Sequence, residues 1–230
     1  MIKNIIFDFG GVILTLNPEE ALRRFIELGV ADAREQMSIY GHTGIFLELE
    51  NGSISADEFC QRLASEAQAK GGKFPGESNP TFTFEEAQWA WAGFINEVSQ
   101  NKLDCLLRLK RHYNICLLSN INPFMIAWAE SDGFSPDHHS IKHYFNSLYY
   151  SYELKDYKPA PSIFQKMLRQ GNMLAEECLF LDDSPRNIQA AAELGMQTML
   201  IGKDEDWVGR LETTLVSISA ITPVQDTNKR

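Results

Sequence analysis

Four short apolar runs, residues 2–9, 114–119, 178–182 and 197–201, constrain this 230-residue chain more than any other feature. Each is too short for a buried helix and too continuously apolar for a half-solvated strand, and each is bounded by polar or turn-forming residues. Strands covered on both faces of a parallel sheet have this signature. A weaker run over 144–150 offers a fifth strand. Helical patterns follow over 102–112, 122–131, 161–170 and 185–194, the last stopped by Gly195. Strands alternating with helices predict βαβ units, and hence an α/β fold with a Rossmann-like, doubly wound parallel sheet.

The first two runs are separated by roughly a hundred residues, far more than a βαβ connection needs. Residues 17–99 therefore read as an inserted, all-helical cap domain, and residues 1–16 and 100–230 as the core that carries it. Pro18-Glu19-Glu20 opens one amphipathic stretch, Ser55-Ala56-Asp57-Glu58 has the form of a capping box, and residues 84–98 read as a third helix. The Gly-, Pro- and Ser-rich residues 71–80 form a loop between them.

Charge and cysteine usage narrow the partners. A net charge of −10 without a local basic patch repels nucleic acid and anionic membranes. The four cysteines show no C-x-x-C pairing, so neither a zinc site nor a disulfide framework is expected; Cys116 and Cys178 read as core residues. The N-terminal run is interrupted by Asp8 and lacks a small-residue cleavage site, and no run is long enough to span a bilayer. A soluble, cytoplasmic protein is expected.

The polar residues that close the strands carry the chemistry. Asp8 ends the first run in IFDFGGVIL and Asp182-Asp183 end another in LFLDDSP, which brings three carboxylates to the sheet edge where α/β folds bind ligands. Such carboxylates repel one another unless a cation joins them, and hard oxygen donors suit Mg²⁺ better than zinc. Taken alone, Asp182-Asp183 before Ser184-Pro185 also describes a helix N-cap. Ser119, in ICLLSN, offers a hydroxyl and the following backbone N–H groups to a phosphate, or caps the next helix. Lys158, before Pro159, brings a point charge to a phosphate, or is an exposed loop lysine.

In this order, FDFGGVIL, LLSN, YKPAPSIF and LFLDDSPRNIQAAAELGM resemble the four motifs of the haloacid dehalogenase superfamily of phosphohydrolases, and the insertion falls where the family's C1 cap does. The chain is most similar to the branch of subfamily I that contains the α-D-glucose-1-phosphate phosphatases and the N-terminal phosphatase domain of soluble epoxide hydrolases. Ser119-Asn120-Ile121-Asn122, DDSPRN and Asn51-Gly52-Ser53-Ile54-Ser55 carry that similarity. Lys155 departs from it, standing where many relatives have glycine, as does the long 71–80 loop.

The resemblance implies a Mg²⁺-dependent phosphatase of a small phosphorylated metabolite, a sugar phosphate among the candidates. It makes Asp8 the nucleophile and source of an aspartyl-phosphate, with Asp8, the Gly10 carbonyl and Asp183 as metal ligands. Ser119, the Asn120 amide and Lys158 would hold the phosphoryl group, with Asp182 behind them. Most relatives have a second aspartate at position 10, as general acid for the leaving group and base for the water. Gly10 cannot fill that role. Esters with acidic leaving groups, such as sugar 1-phosphates, are then the expected preference, and a non-catalytic phosphometabolite-binding protein is the alternative. A dehalogenase or a mutase fits less well, because Ser119, Lys158 and Asp183 suit phosphate and metal, and a second transfer also needs the missing acid.

Three weaker features remain. His139 and His143 have helical spacing but no acidic partner, and read as surface histidines. Trp89, Trp91, Phe84 and Phe94 read as cap core before pocket wall. His42 and the 41–46 segment could reach down from the cap to a substrate.

Overall fold

A computed structural model describes residues 1–37, 41–71 and 73–221 of the chain. Among the described residues seven strands are formed: β1 Asn4–Phe7, β2 Leu14–Leu16, β3 Ile95–Val98, β4 Asn114–Ser119, β5 Ser147–Tyr150, β6 Cys178–Asp182 and β7 Gln197–Leu200. Five make one sheet in the order β5-β4-β1-β6-β7, every neighbouring pair parallel. β1 lies at the centre, and Ile5, Ile6 and Phe7 are wholly buried, as a strand covered on both faces requires. Helices Gln100–Leu109, Pro123–Ala129, Pro161–Gln170 and Pro185–Glu193 fall in the expected crossovers. Asn122, not Ser119, caps the second of these, accepting from the Met125 N–H at 3.2 Å. A further helix, Val208–Ile221, packs beside Gln100–Leu109, its Glu212 paired with Arg108 at 2.9 Å.

The insertion supplies helices Pro18–Glu27, Gly44–Glu50, Ala56–Ala69 and Phe84–Trp91 around an aromatic centre in which Phe25, Phe46, Phe59 and Trp91 meet edge-on or tilted at 5.1–6.2 Å. Contacts of this geometry add to plain area burial. Phe59 and Phe84 reach across to Phe124 of the core, at 5.8 and 4.6 Å, so one hydrophobic body runs through both parts.

The insertion is not wholly helical. Residues 84–98 do not form one helix: it stops at Trp91, turns through Ala92–Phe94, and continues as β3, which pairs antiparallel with β2. Gly93 marks the change, because a Cβ there would lie 2.5 Å from the Ala21 Cα of the helix it crosses. At Ser55 only half of the expected capping box forms, the Glu58 N–H donating to Ser55 Oγ at 3.1 Å. The reciprocal box is at Thr83 and Glu86.

Candidate active site

Because β1, β4 and β6 are adjacent and parallel, their C-terminal ends bring Asp8, Ser119 and Asp182 to one place, with Asp183 beside them. Asp8 follows β1 and remains tied to the sheet by its N–H to the Leu181 carbonyl, 2.9 Å. Its Oδ1 accepts from the Phe9 N–H at 2.6 Å and faces Lys158 Nζ at 2.8 Å. Lys158 is 2% exposed, which excludes a loop lysine in solvent. Asn120 positions it at both backbone ends: the Lys158 N–H donates to Asn120 Oδ1 at 2.8 Å, and Asn120 Nδ2 donates to the Lys158 carbonyl at 2.9 Å. The Asn120 side-chain amide is thereby committed, which leaves its backbone N–H for any phosphoryl contact.

Asp182 is fully buried and saturated. It accepts Lys158 Nζ on Oδ2 at 2.7 Å, the Ser184 N–H on Oδ1 at 2.8 Å, and Asn187 Nδ2 on both oxygens at 2.9 and 3.0 Å. One ligand oxygen from each of Asp8, Asp182 and Asp183 fits within a 4.8 Å cluster. Since Asp182 has its oxygens occupied, Asp8 and Asp183 are the two with capacity to bind a cation, and an all-carboxylate set fits Mg²⁺.

Electrostatics agree with that division. Burial drives the Asp8 carboxyl well above the ordinary aspartate range; Lys158 offsets part of this, and Asp182 and Asp183 add to it. Asp183 is pushed up to about 6, first by burial and then by Asp182. Burial works against the Lys158 ammonium, but Asp182 and Asp8 more than reverse it, so the lysine stays charged. One cation thus serves three carboxylates, a deficit that a bound divalent ion removes.

The loop after β1 is shaped around Asp183. Gly11 has φ +75°, and a Cβ there would collide with the Asp183 carboxylate. Gly10 is outside the left-handed region, but a Cβ would come 3.1 Å from Leu16 Cδ1. An apolar side chain therefore stands against the place where an acid at position 10 would begin. The Val12 carbonyl receives two donors, Lys102 Nζ at 2.8 Å and Trp207 Nε1 at 2.9 Å, both buried.

A cavity of about 120 Å³ lies over these groups, with Asp8, Gly10, Ser119, Lys158 and Asp183 on its core side. The insertion contributes His42, Glu50, Trp91 and Phe94 to the other wall. Glu50 is buried, accepts from Tyr157 OH at 3.2 Å and Asn122 Nδ2 at 3.5 Å, and has His42 Nε2 at 3.6 Å. Ser151 Oγ donates to the Glu50 carbonyl at 2.5 Å and accepts from the Ile121 N–H at 2.9 Å, latching the insertion to the core. Gly52 completes the latch: its φ is +72°, and a Cβ would collide with the Tyr152 carbonyl.

Asp8, Gly10, Ser119, Asn120, Lys158, Asp182 and Asp183, all singled out in the sequence, come together here. Glu50, Asn122, Tyr157 and Asn187 were not singled out for a role; a second glutamate two positions after Glu48 in a mostly apolar helix, before Asn51-Gly52, was the available signal. His42 does reach the cavity. Trp91 and Phe94 are both core and cavity wall, while Trp89 is exposed beneath Arg24 at 5.2 Å. His139 and His143 are exposed and stacked at 4.2 Å, outside the carboxylate cluster. The four cysteines are buried and free. No helix of the described residues is long and apolar enough to cross a membrane.

Comparison with known proteins agrees with this geometry. The model of the haloacid dehalogenase-like hydrolase family matches residues 2–195. D-ribitol-5-phosphate phosphatase of Bacteroides thetaiotaomicron is 44% identical over 216 residues, covering 94% of this chain and 98% of that protein. Among solved structures, a HAD-like family hydrolase from Porphyromonas gingivalis superposes with a TM-score of 0.84 at 36% identity, covering 94% of this chain and 98% of that one. A HAD family enzyme from B. thetaiotaomicron, in complex with magnesium and inorganic phosphate, gives 0.76 at 32% identity, covering 90% and 98%.

Proposed function

The chain belongs to the haloacid dehalogenase-like hydrolases and is a magnesium-dependent phosphatase, and from that premise we propose that it cleaves the phosphate ester of a small sugar alcohol, D-ribitol 5-phosphate or a close analogue, through phosphorylated Asp8. The observation that carries the chemistry is the meeting of Asp8 with Lys158 in a cavity that core and insertion line together. The choice of substrate rests on the ribitol-phosphate phosphatase, whose similarity runs the length of both chains.

In this mechanism Asp8 attacks phosphorus, and Lys158 offsets the charge that gathers as two anions approach. Ser119 Oγ and the Asn120 backbone N–H bind the phosphoryl oxygens. Asp182, fixed by Asn187 and the Ser184 N–H, keeps Lys158 aimed. Asp8, the Gly10 carbonyl and Asp183 would hold Mg²⁺, which when bound neutralises phosphoryl charge. The inserted segment over residues 17–99 supports placement in the C1-capped branch.

D-Ribitol 5-phosphate is a primary-alcohol ester. It runs against the preference for acidic leaving groups that Gly10 alone suggests, so another group has to deliver the proton. Phosphate release with Mg²⁺ from D-ribitol 5-phosphate, α-D-glucose 1-phosphate and 4-nitrophenyl phosphate tests the assignment. The highest kcat/KM is expected for the first. A glucose 1-phosphate rate tenfold above it would overturn the substrate, and no release from any small ester would overturn the function.

A further inference from the structure

We propose that His42, held by Glu50, is the proton donor that replaces the acid missing at position 10. The inference rests on the alkyl-ester reading above, because only a poor leaving group demands a donor: a positioned acid is worth about 10² to 10⁴ in rate for such a group and little for an acidic one.

Elimination among the described residues lining the cavity leads to this residue. Asp8 is the nucleophile, and Asp183 has the free capacity for the cation. Lys158 is shared between Asp8 and Asp182. Tyr157 spends its hydroxyl proton on Glu50, and burial, with Glu50 adding to it, pushes its phenol far above the ordinary range. Glu50 already acts as acceptor toward Tyr157 and Asn122. The further titratable side chain of this lining is His42, and imidazole is the side chain best suited to exchanging a proton near neutral pH.

The placement fits the role. His42 is buried and lines, from the insertion, the same cavity as Asp8. Its ring is walled by Trp91 and Phe94, at centroid distances of 5.6 and 6.1 Å, which restrict how the imidazole turns. Glu50 stands 3.6 Å from Nε2 and is itself held by Tyr157 and Asn122. A carboxylate that steadies an imidazole, and is itself steadied, is a recurring arrangement for proton transfer.

The step balances. Asp8 forms a bond to phosphorus while the ester P–O bond breaks, and the departing alkoxide takes the imidazolium proton. Water then attacks the phosphoryl group on Asp8, gives one proton to the imidazole, and releases phosphate and the carboxylate.

The test compares wild type with His42→Gln and Glu50→Gln, with Mg²⁺ present, on D-ribitol 5-phosphate, glycerol phosphate and 4-nitrophenyl phosphate. For His42→Gln, kcat on the alkyl esters is expected to fall about 10²-fold or more with KM changed less than about threefold. The pre-steady-state release of nitrophenolate, which needs no proton, is expected to stay within about threefold of wild type. Glu50→Gln should lie between the two, and gives a second measurement should His42→Gln fail to fold. Equal loss in alkyl-ester kcat and in the nitrophenolate burst, or loss confined to KM, would assign the pair to binding and overturn the proposal. Wild-type turnover of the aryl ester alone would overturn it as well, leaving the phosphatase intact. Turnover of glycerol phosphate without ribitol phosphate would overturn only the substrate, since the donor is then tested on the glycerol ester.

Discussion

The Lys158 ammonium is held 2.7 Å from Asp182 Oδ2, with neither side chain more than 1% exposed. Removing one partner of a buried pair leaves an uncompensated charge and costs about 3–5 kcal/mol. Lys158 keeps Asp8 as a second partner, so Asp182→Ala is expected at the low end, about 3 kcal/mol, read from denaturant melts of the metal-free protein. Asp183→Ala is expected to leave those melts unchanged or improved while weakening Mg²⁺ binding, measured by calorimetry. Equal loss of metal affinity in the two variants would contradict the separation between them.

Asp8→Asn should fold and lose turnover by at least about 10³-fold, because an amide keeps the shape and removes the attacking charge. Burial already disfavours the Asp8 carboxylate. The variant's metal-free Tm is therefore expected to equal or exceed that of wild type. Activity within tenfold of wild type would remove Asp8 from the chemistry.

The raised Asp8 and Asp183 give the metal-free protein a pH dependence of definite sign. Each binds its proton more tightly in the folded than in the unfolded chain, so the contribution of both is complete below about pH 4; the Asp183 part is lost as pH rises through about 6, and the Asp8 part as pH rises above the ordinary aspartate range. Bound Mg²⁺ favours the ionised forms. Its stabilisation should thus grow across the same window, and the Tm increment from saturating Mg²⁺ should be larger at pH 7.5 than at pH 5. A constant increment would show that these carboxylates do not hold the metal.

An acid restored at position 10 should relieve the need for His42. The backbone there accepts a side chain, and Leu16 is the obstacle, 3.1 Å from the Cβ position. Gly10→Asp with Leu16→Ala, placed in the His42→Gln protein, is expected to recover at least tenfold of the lost alkyl-ester turnover and to change the pre-steady-state release of nitrophenolate less. Mg²⁺ affinity should be checked alongside, because Gly11 is in contact range of Asp183.

Lys155 takes φ +48°, the left-handed conformation that costs a residue with a Cβ about 1–2 kcal/mol. Lys155→Gly returns part of that to chain entropy in the unfolded state, leaving an expected gain of about 0.5–1 kcal/mol in chemical denaturation with activity unchanged.

How much of this could be read from sequence depended on the range of the interaction. The sheet was legible because burial on both faces forces continuous apolar runs, and Asp8, Ser119 and Asp182 because they end such runs. Glu50 and Tyr157 were not, since each is polar for the sake of a partner 107 positions away, and nothing local marks that pairing. Asn187 lay inside DDSPRN, yet its two bonds to Asp182 follow from the helix turn after β6, not from spacing alone. The strand at 95–98 was missed because its cause, the close passage of Gly93 over Ala21, joins segments about seventy residues apart.

The two donors on the Val12 carbonyl come from residues 102 and 207, so the loop that follows Asp8 is anchored partly by a side chain almost two hundred positions further along. During synthesis the first β-strand and its aspartate leave the ribosome early, but this anchor is completed only when Trp207 emerges. A nascent chain halted before that point contains Asp8, Ser119, Lys158 and Asp183 and still lacks one of the two donors on this loop. The hold on this loop is therefore completed only once synthesis has passed position 207.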